Sequence, residues 1–374
     1  MNKDYKIDIR GAFSGFDRKT CKANPKVAFD GENAVLSYSM LHLTGSDCFG
    51  DSYASAFKIG EVPECAIKTQ STKSFDEDRD VYFETTLYYD KKHRKYFSFG
   101  CMEHYFSLAT TPNLKGGIGV AELMYRIFDK ETCSYSEPKS LAFPFEAYTA
   151  VVHSVVEEKD NGDMLVTCYF ARKTELGAEC VTILYGYENG ELIVRAAGQP
   201  ISVSGYPRGL CEPTATKFNG KYYMTIRTDT AALLCESDDG FTFTEPRLHR
   251  FDDSTPFECY NTMQRLVATP DSLYLVYTRK NGKNDHVFRN RAPLYITRFN
   301  SDFELVKAEE RVVAPERGAR LGNFSVCKIN DRKFIVSVAE WMQTTAPDHF
   351  DFTKCEKYGS DNTIWLTTLD FGEK

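Results

Sequence analysis

One strand-turn-strand unit recurs six times along this 374-residue chain, and that repetition restricts the fold more than any other feature. The copies read PKVAFDGENAVLSYSM from Pro25, ETTLYYDKKHRKYFSFGCM from Glu84 and HSVVEEKDNGDMLVTCYF from His153. The others read EPTATKFNGKYYMTIRTD from Glu212, NTMQRLVATPDSLYLVYTRK from Asn261 and NFSVCKINDRKFIVSVAEW from Asn323. Each holds an alternating apolar strand, a short polar turn and a second strand rich in Tyr, Phe, Val and Ile, the signature of a hairpin. A third strand follows each hairpin, as in SYASAFKIG from Ser52, VTILYGYENG from Val181 and NTIWLTTLD from Asn362. The copies start roughly fifty to seventy residues apart, the length of a four-stranded blade with its loops. This pattern predicts an all-β chain folded as a six-bladed β-propeller, one domain over residues 1–374. The opening segment YKIDIRGAF is expected to supply the outer strand of the last blade and close the ring. No long segment shows the 3.6-residue period of a helix.

Composition narrows the function. A hydrophobic share of 42% supports a full core. The net charge of −7 and the lack of a Lys/Arg block argue against a nucleic-acid partner. No run approaches the ~20 apolar residues that cross a bilayer. The first residues, MNKDYKIDIRG, carry no apolar signal region, so a cytoplasmic location is expected. The twelve cysteines form no CxxC pair, and Cys101, Cys168, Cys235 and Cys327 sit inside apolar strands. Buried reduced thiols are the expectation.

In a propeller, equivalent positions converge on the mouth of the central channel. The inner-strand starts supply Asn24, Glu84, His153, Glu212, Asn261 and Asn323, all polar, which predicts a polar pocket. The loops at that pole add Arg227, Arg279, His286, Arg289, Arg291 and Arg320. Arg289 and Arg291 flank Asn290, so a strand there would turn both to one face. Several guanidiniums at one pole of an acidic protein point to an anionic ligand, because their forks match carboxylate and sulfate. Glu212 is the leading catalytic candidate, as base or as activator of a nucleophile. Asp51 and Glu84 are further acid/base candidates, since glycoside hydrolysis commonly needs two carboxyl groups. His153 is a candidate proton carrier and Tyr260 a further mouth residue. His42, His104 and His153 lack ligand spacing, so no metal and no cofactor is expected.

On these residues the chain resembles the sialidase (neuraminidase) superfamily of six-bladed propellers. SDDGFTF at 237–243 resembles the Asp-box turn, or BNR repeat, of those blades, one residue short and with Phe243 for Trp. The family places a catalytic Glu at an inner-strand start and a substrate Arg about fifteen residues later, as Glu212 and Arg227 stand here. Its next substrate Arg falls where Arg289 and Arg291 lie. RGARLGNFSVCKINDRKFIV resembles the closing blade. The segments NDHVFRNRAPLY (284–295) and PERGARLGNF (315–324) are similar to those of uncharacterised sialidase-like proteins. Two departures stand out. Phe324 occupies the place of the family's nucleophilic Tyr, and the Arg that opens the first blade is missing from ANPKVAF. The resemblance implies a glycoside hydrolase acting on an anionic or polar carbohydrate, though not a standard retaining sialidase. A polysaccharide lyase using His153 or Tyr260, and a propeller that binds sugar without chemistry, are the alternatives.

Overall fold

The computed structural model describes residues 5–372 apart from 46, 110, 112–113, 116–117, 120–121, 174–176, 260 and 346–347. Each repeat becomes one twisted antiparallel sheet, hydrogen-bonded from an inner to an outer strand. The inner strands of blades 1 to 6 are Thr20–Phe29, Arg79–Asp90, Thr149–Glu158, Cys211–Phe218, Arg265–Ala268 and Arg320–Asn330. The six-bladed propeller read from the repeats is therefore the fold. Lys6–Ala12 pairs antiparallel with Ile364–Asp370, so the first strand of the chain completes the last blade.

Blades stack face to face, which explains why strands such as Leu273–Tyr277 are apolar without interruption and buried throughout. Phe97, Phe99, Val152 and Phe170 fill the space between blades 2 and 3. Val276, Ile296, Phe324 and Val336 fill that between blades 5 and 6. Each such side chain contributes about 1.5–3 kcal/mol by leaving water. All twelve cysteines are free thiols. In the turn after the third strand of blade 4, Asp239 accepts the amides of Phe241 (2.7 Å) and Thr242 (2.8 Å).

Five inner strands carry a one-residue bulge at the same height, at Asn24, Thr85, His153, Glu212 and Asn323 or beside them. Asn24, Glu212, Asn261 and Asn323 have left-handed backbones, with φ of 55°, 51°, 43° and 52°. Asn tolerates that conformation better than most residues. The left-handed backbone thus favours asparagine at three of these inner-strand starts.

Beside the bulges two buried cations link the inner strands of different blades. Lys26 Nζ donates to the Asn323 carbonyl at 2.9 Å. Arg265 Nη1 donates to the His153 carbonyl (3.1 Å) and to Thr214 Oγ1 (3.0 Å), tying blade 5 to blades 3 and 4. Burial lowers Lys26 well below the usual lysine value and brings Arg265 down to about 10.

Candidate active site

Glu212 and Arg227 meet because the hairpin of blade 4 returns its second strand to the start of its first. Cys211 pairs with Arg227 across the ladder, and the bulge turns Glu212 toward the guanidinium. Arg227 Nη1 lies 2.6 Å from Glu212 Oε2, with only 7% and 15% of the two side chains exposed. Burial alone would raise the Glu212 carboxyl. Arg227, chief among its cationic neighbours, outweighs burial and holds it at about 2. Glu212 is thus an anion at every physiological pH.

A second guanidinium, Arg291, acts on this pair, and a third, Arg320, acts on Arg291. Arg291 is 5% exposed and donates through Nη2 to the carbonyl of Asn261. Its loop is held by buried Asn284, whose amide nitrogen reaches the carbonyls of Arg279 (2.9 Å) and Ala292 (2.7 Å). The Leu321 amide donates to the Arg291 carbonyl at 2.6 Å and fastens the loop to blade 6. Arg320 opens the inner strand of blade 6 and is 3% exposed. Its guanidinium lies 4.0 Å from the Trp341 ring centroid and 5.2 Å from that of Phe288. The Nε of Arg227, of Arg291 and of Arg320 is buried without a hydrogen-bond partner among the described residues. Burial, then Arg320, Arg227 and Arg289, pushes Arg291 well below the usual guanidinium range, and burial brings Arg320 to about 9. A guanidinium stays charged in proteins, so these depressions mark cations crowded together with too little anion.

Other candidates are engaged elsewhere. Asp51 is ion-paired with Lys68 at 2.6 Å and accepts the Thr72 amide at 2.9 Å, on the outer side of blade 1. Burial raises its carboxyl less than Lys68 and Thr72 lower it, so Asp51 is ionised and unfit as a proton donor. Glu84 accepts from Ser37 of blade 1 and from the Tyr135 hydroxyl (2.9 Å) of blade 2, a bridge between blades. Arg279 forms a two-pronged pair with Glu310, at 2.8 and 2.6 Å. His286 stacks on Tyr358 and contacts Glu316 at 3.0 Å. Arg289 and Arg291 do not lie on a strand: Phe288–Asn290 is a short 3-10 turn, with Arg289 at φ 55°. His153 donates from Nδ1 to the Pro213 carbonyl (3.1 Å), and burial plus Arg265 keep it neutral. Phe324 is fully buried between blades, so Asn323, not the Phe ring, takes the bulge position at the mouth. Tyr260 lies outside the described residues.

The Arg279 assignment is testable. Glu310→Ala should lower unfolding free energy by about 2–3 kcal/mol, because Arg279 and the Tyr277 hydroxyl both lose their acceptor. Denaturant melts should show this loss while binding of any sugar at the mouth stays unchanged. Weakened binding instead would return Arg279 to the site.

Three mouth residues escaped the sequence reading: Asp47, Glu103 and Tyr169. Glu103 and Tyr169 sit near the ends of second strands, Lys95–Tyr105 and Met164–Ala171; Tyr169 is level with Arg227 in its own blade, and Glu103 lies two residues beyond that level. Applying the equivalence of positions to strand ends as well as strand starts would have found them. Asp47 acts electrostatically on both Glu103 and Arg320, and Tyr169 on its blade is within reach of Glu212 and Arg227. Every blade therefore lends a polar group to the mouth. Among the described residues no three His, Cys, Asp or Glu side chains gather as a metal site.

The fold is that of the sialidase-like six-bladed propellers. No family model and no curated protein sequence matches the chain. Solved structures do match. A protein of unknown function from Dyadobacter fermentans superposes with a TM-score of 0.64 at 14% identity, over 97% of this chain and 99% of that one. Trypanosoma rangeli sialidase in complex with 2,3-difluorosialic acid gives 0.58 at 12% identity, over 94% of this chain. This chain spans 54% of that sialidase. The intramolecular trans-sialidase from Ruminococcus gnavus gives 0.58 at 10% identity, over 92% of this chain and 94% of that one.

Proposed function

We propose that the protein is a glycoside hydrolase acting on a carbohydrate that carries a carboxylate, held at the channel mouth. The observation that carries this reading is the set of three buried guanidiniums, Arg227, Arg291 and Arg320, of which only Arg227 is ion-paired to a carboxylate among the described residues. Buried charge is costly unless compensated, and an anionic ligand supplies the missing compensation. The carboxylate of a sialic or uronic acid fits the guanidinium fork. Glu212, ionised and fixed beside the sugar, stabilises positive charge developing at the anomeric carbon and receives the proton of attacking water. The sialidase-fold neighbours support a sugar ligand, since one is bound to a sialic acid derivative.

A second reading is binding without chemistry. It draws on the closing blade, where Asn323 and buried Phe324 leave no hydroxyl at the position of the sialidase nucleophile. A panel of sialosides, aryl glycosides and uronate oligosaccharides, read by mass spectrometry, separates the readings. Fragments together heavier by one water support hydrolysis. Cleavage without added water replaces hydrolase with lyase. Intact substrates together with thermal stabilisation by an acidic sugar would leave a binding module.

A further inference from the structure

Consecutive carbonyls in the inner strand of blade 6 collect two buried cations from other blades. Lys26 Nζ, from blade 1, donates to the Asn323 carbonyl at 2.9 Å, and Arg265 Nε, from blade 5, donates to the Phe324 carbonyl at 3.4 Å. Only one peptide, about 3.8 Å between α-carbons, separates those acceptors. Arg265 also reaches the His153 carbonyl of blade 3 and the Thr214 hydroxyl of blade 4. A side chain that touches three other inner strands, one of them two blades away, lies across the propeller axis. The two like charges therefore share one place at the axis, where Lys26 is 2% and Arg265 5% exposed.

Neither cation is ion-paired among the described residues; each acceptor described for them is a neutral oxygen. An ammonium has three N–H hydrogens and a guanidinium five. The described bonds use one hydrogen of Lys26 and those of Arg265 Nε and Nη1, so two on Lys26 Nζ and two on Arg265 Nη2 have no acceptor among the described residues. The carboxylates that act on Lys26 from farther off are occupied. Glu84 takes the hydroxyls of Ser37 and Tyr135, and Glu212 takes Arg227. His153, which both cations act on, is held neutral by burial and by Arg265. Buried lysine and arginine are rare without a partner, and buried polar hydrogens ordinarily find acceptors. We propose that the propeller axis holds a small inorganic anion of chloride's size, gripped by Lys26 Nζ and Arg265 Nη2. A water would accept the hydrogens but leave two like charges out of solvent, whereas an anion accepts them and cancels one charge. The small exposure of both groups admits a ligand of one atom and shuts out a sugar. This site goes beyond the hydrolase reading and does not depend on it, because its anion would fasten the inner strands together whatever the mouth does.

The test uses bromide, an anomalous scatterer that replaces chloride. Wild-type crystals grown in sodium gluconate and soaked in bromide should show an anomalous peak in contact with Lys26 Nζ and Arg265 Nη2. Adding sialic acid at saturation should leave that peak in place, even where it clears bromide from Arg227, Arg291 and Arg320. In solution, exchange of gluconate for bromide at constant ionic strength should raise the melting temperature by roughly 2–4 °C once bromide reaches a hundredfold excess over its Kd. Lys26→Met should lose both the peak and the rise, and if that variant does not fold the wild-type crystals decide alone. Bromide found only at the mouth guanidiniums overturns the proposal. So does water alone between Lys26 and Arg265 with flat wild-type melting, which would mean that Lys26 sheds its proton instead of taking an anion. An axial peak that persists in Lys26→Met overturns it as well.

Discussion

Glu212→Gln should reduce turnover by roughly 10²–10³-fold while the protein still binds its acidic sugar, and should bind it more tightly than wild type. The two signs have one cause. Glu212 is the anion closest to a buried cluster of guanidiniums, with Arg227 at 2.6 Å. Removing its charge takes away the group that stabilises a developing cation, and also takes away the internal competitor for the ligand's carboxylate. The same change destabilises the empty protein. Glu212 sits at about 2 in the folded chain and ~4.3 unfolded, a difference worth about 3 kcal/mol. Because the folded value is the lower one, that contribution is complete above ~pH 4.3 and disappears as pH falls toward 2. The variant's melting temperature should therefore be lower at neutral pH and flatter across that acidic window, and an acidic sugar should restore more of it than in wild type. Turnover near that of wild type would remove Glu212 from the chemistry. Weaker binding would show that it grips the sugar directly.

The fold was legible because propeller blades leave a coarse, repeated mark: alternating strands, turns and a third strand at constant offset. Even the closure by Lys6–Ala12 could be read from an unpartnered apolar opening segment. The site was legible only where hairpin geometry converts sequence spacing into contact, as for Glu212 and Arg227. It was misread where one residue type answers two demands. At Asn24, Asn261 and Asn323 a left-handed backbone favours asparagine as well, and the Asn24 amide is spent on the Glu84 carbonyl. Arg279 looked like its neighbours Arg289 and Arg291, but Glu310, thirty-one positions away and on the outer side of blade 5, claims it. Such partners are set by how a loop closes. Glu103 was passed over because a lone glutamate at a strand end, in CMEHY, resembles any solvated residue until Asp47 and Tyr105 are brought against it.

Arg291→Met should make the protein more stable and a much poorer binder. Arg291 is buried, its Nε has no partner, and Arg320, Arg227 and Arg289 all repel it. The one hydrogen bond described for its side chain, to the Asn261 carbonyl, is modest recompense for a desolvated charge. A methionine keeps the apolar stem and fills the same loop, so unfolding free energy should rise by about 1–2 kcal/mol, most clearly at low ionic strength where the repulsion is least screened. Affinity for a carboxylate sugar should fall by roughly 10–100-fold, the worth of a charge-assisted hydrogen bond made in a dry pocket. A neutral analogue of the same sugar should lose far less. Natural sites accept instability of this kind where a ligand relieves it. Isothermal titration and thermal melts of the same preparation read both quantities. If the variant melts lower and binds as before, Arg291 is a scaffold residue, and the crowding of cations at the mouth has some purpose other than holding an anion.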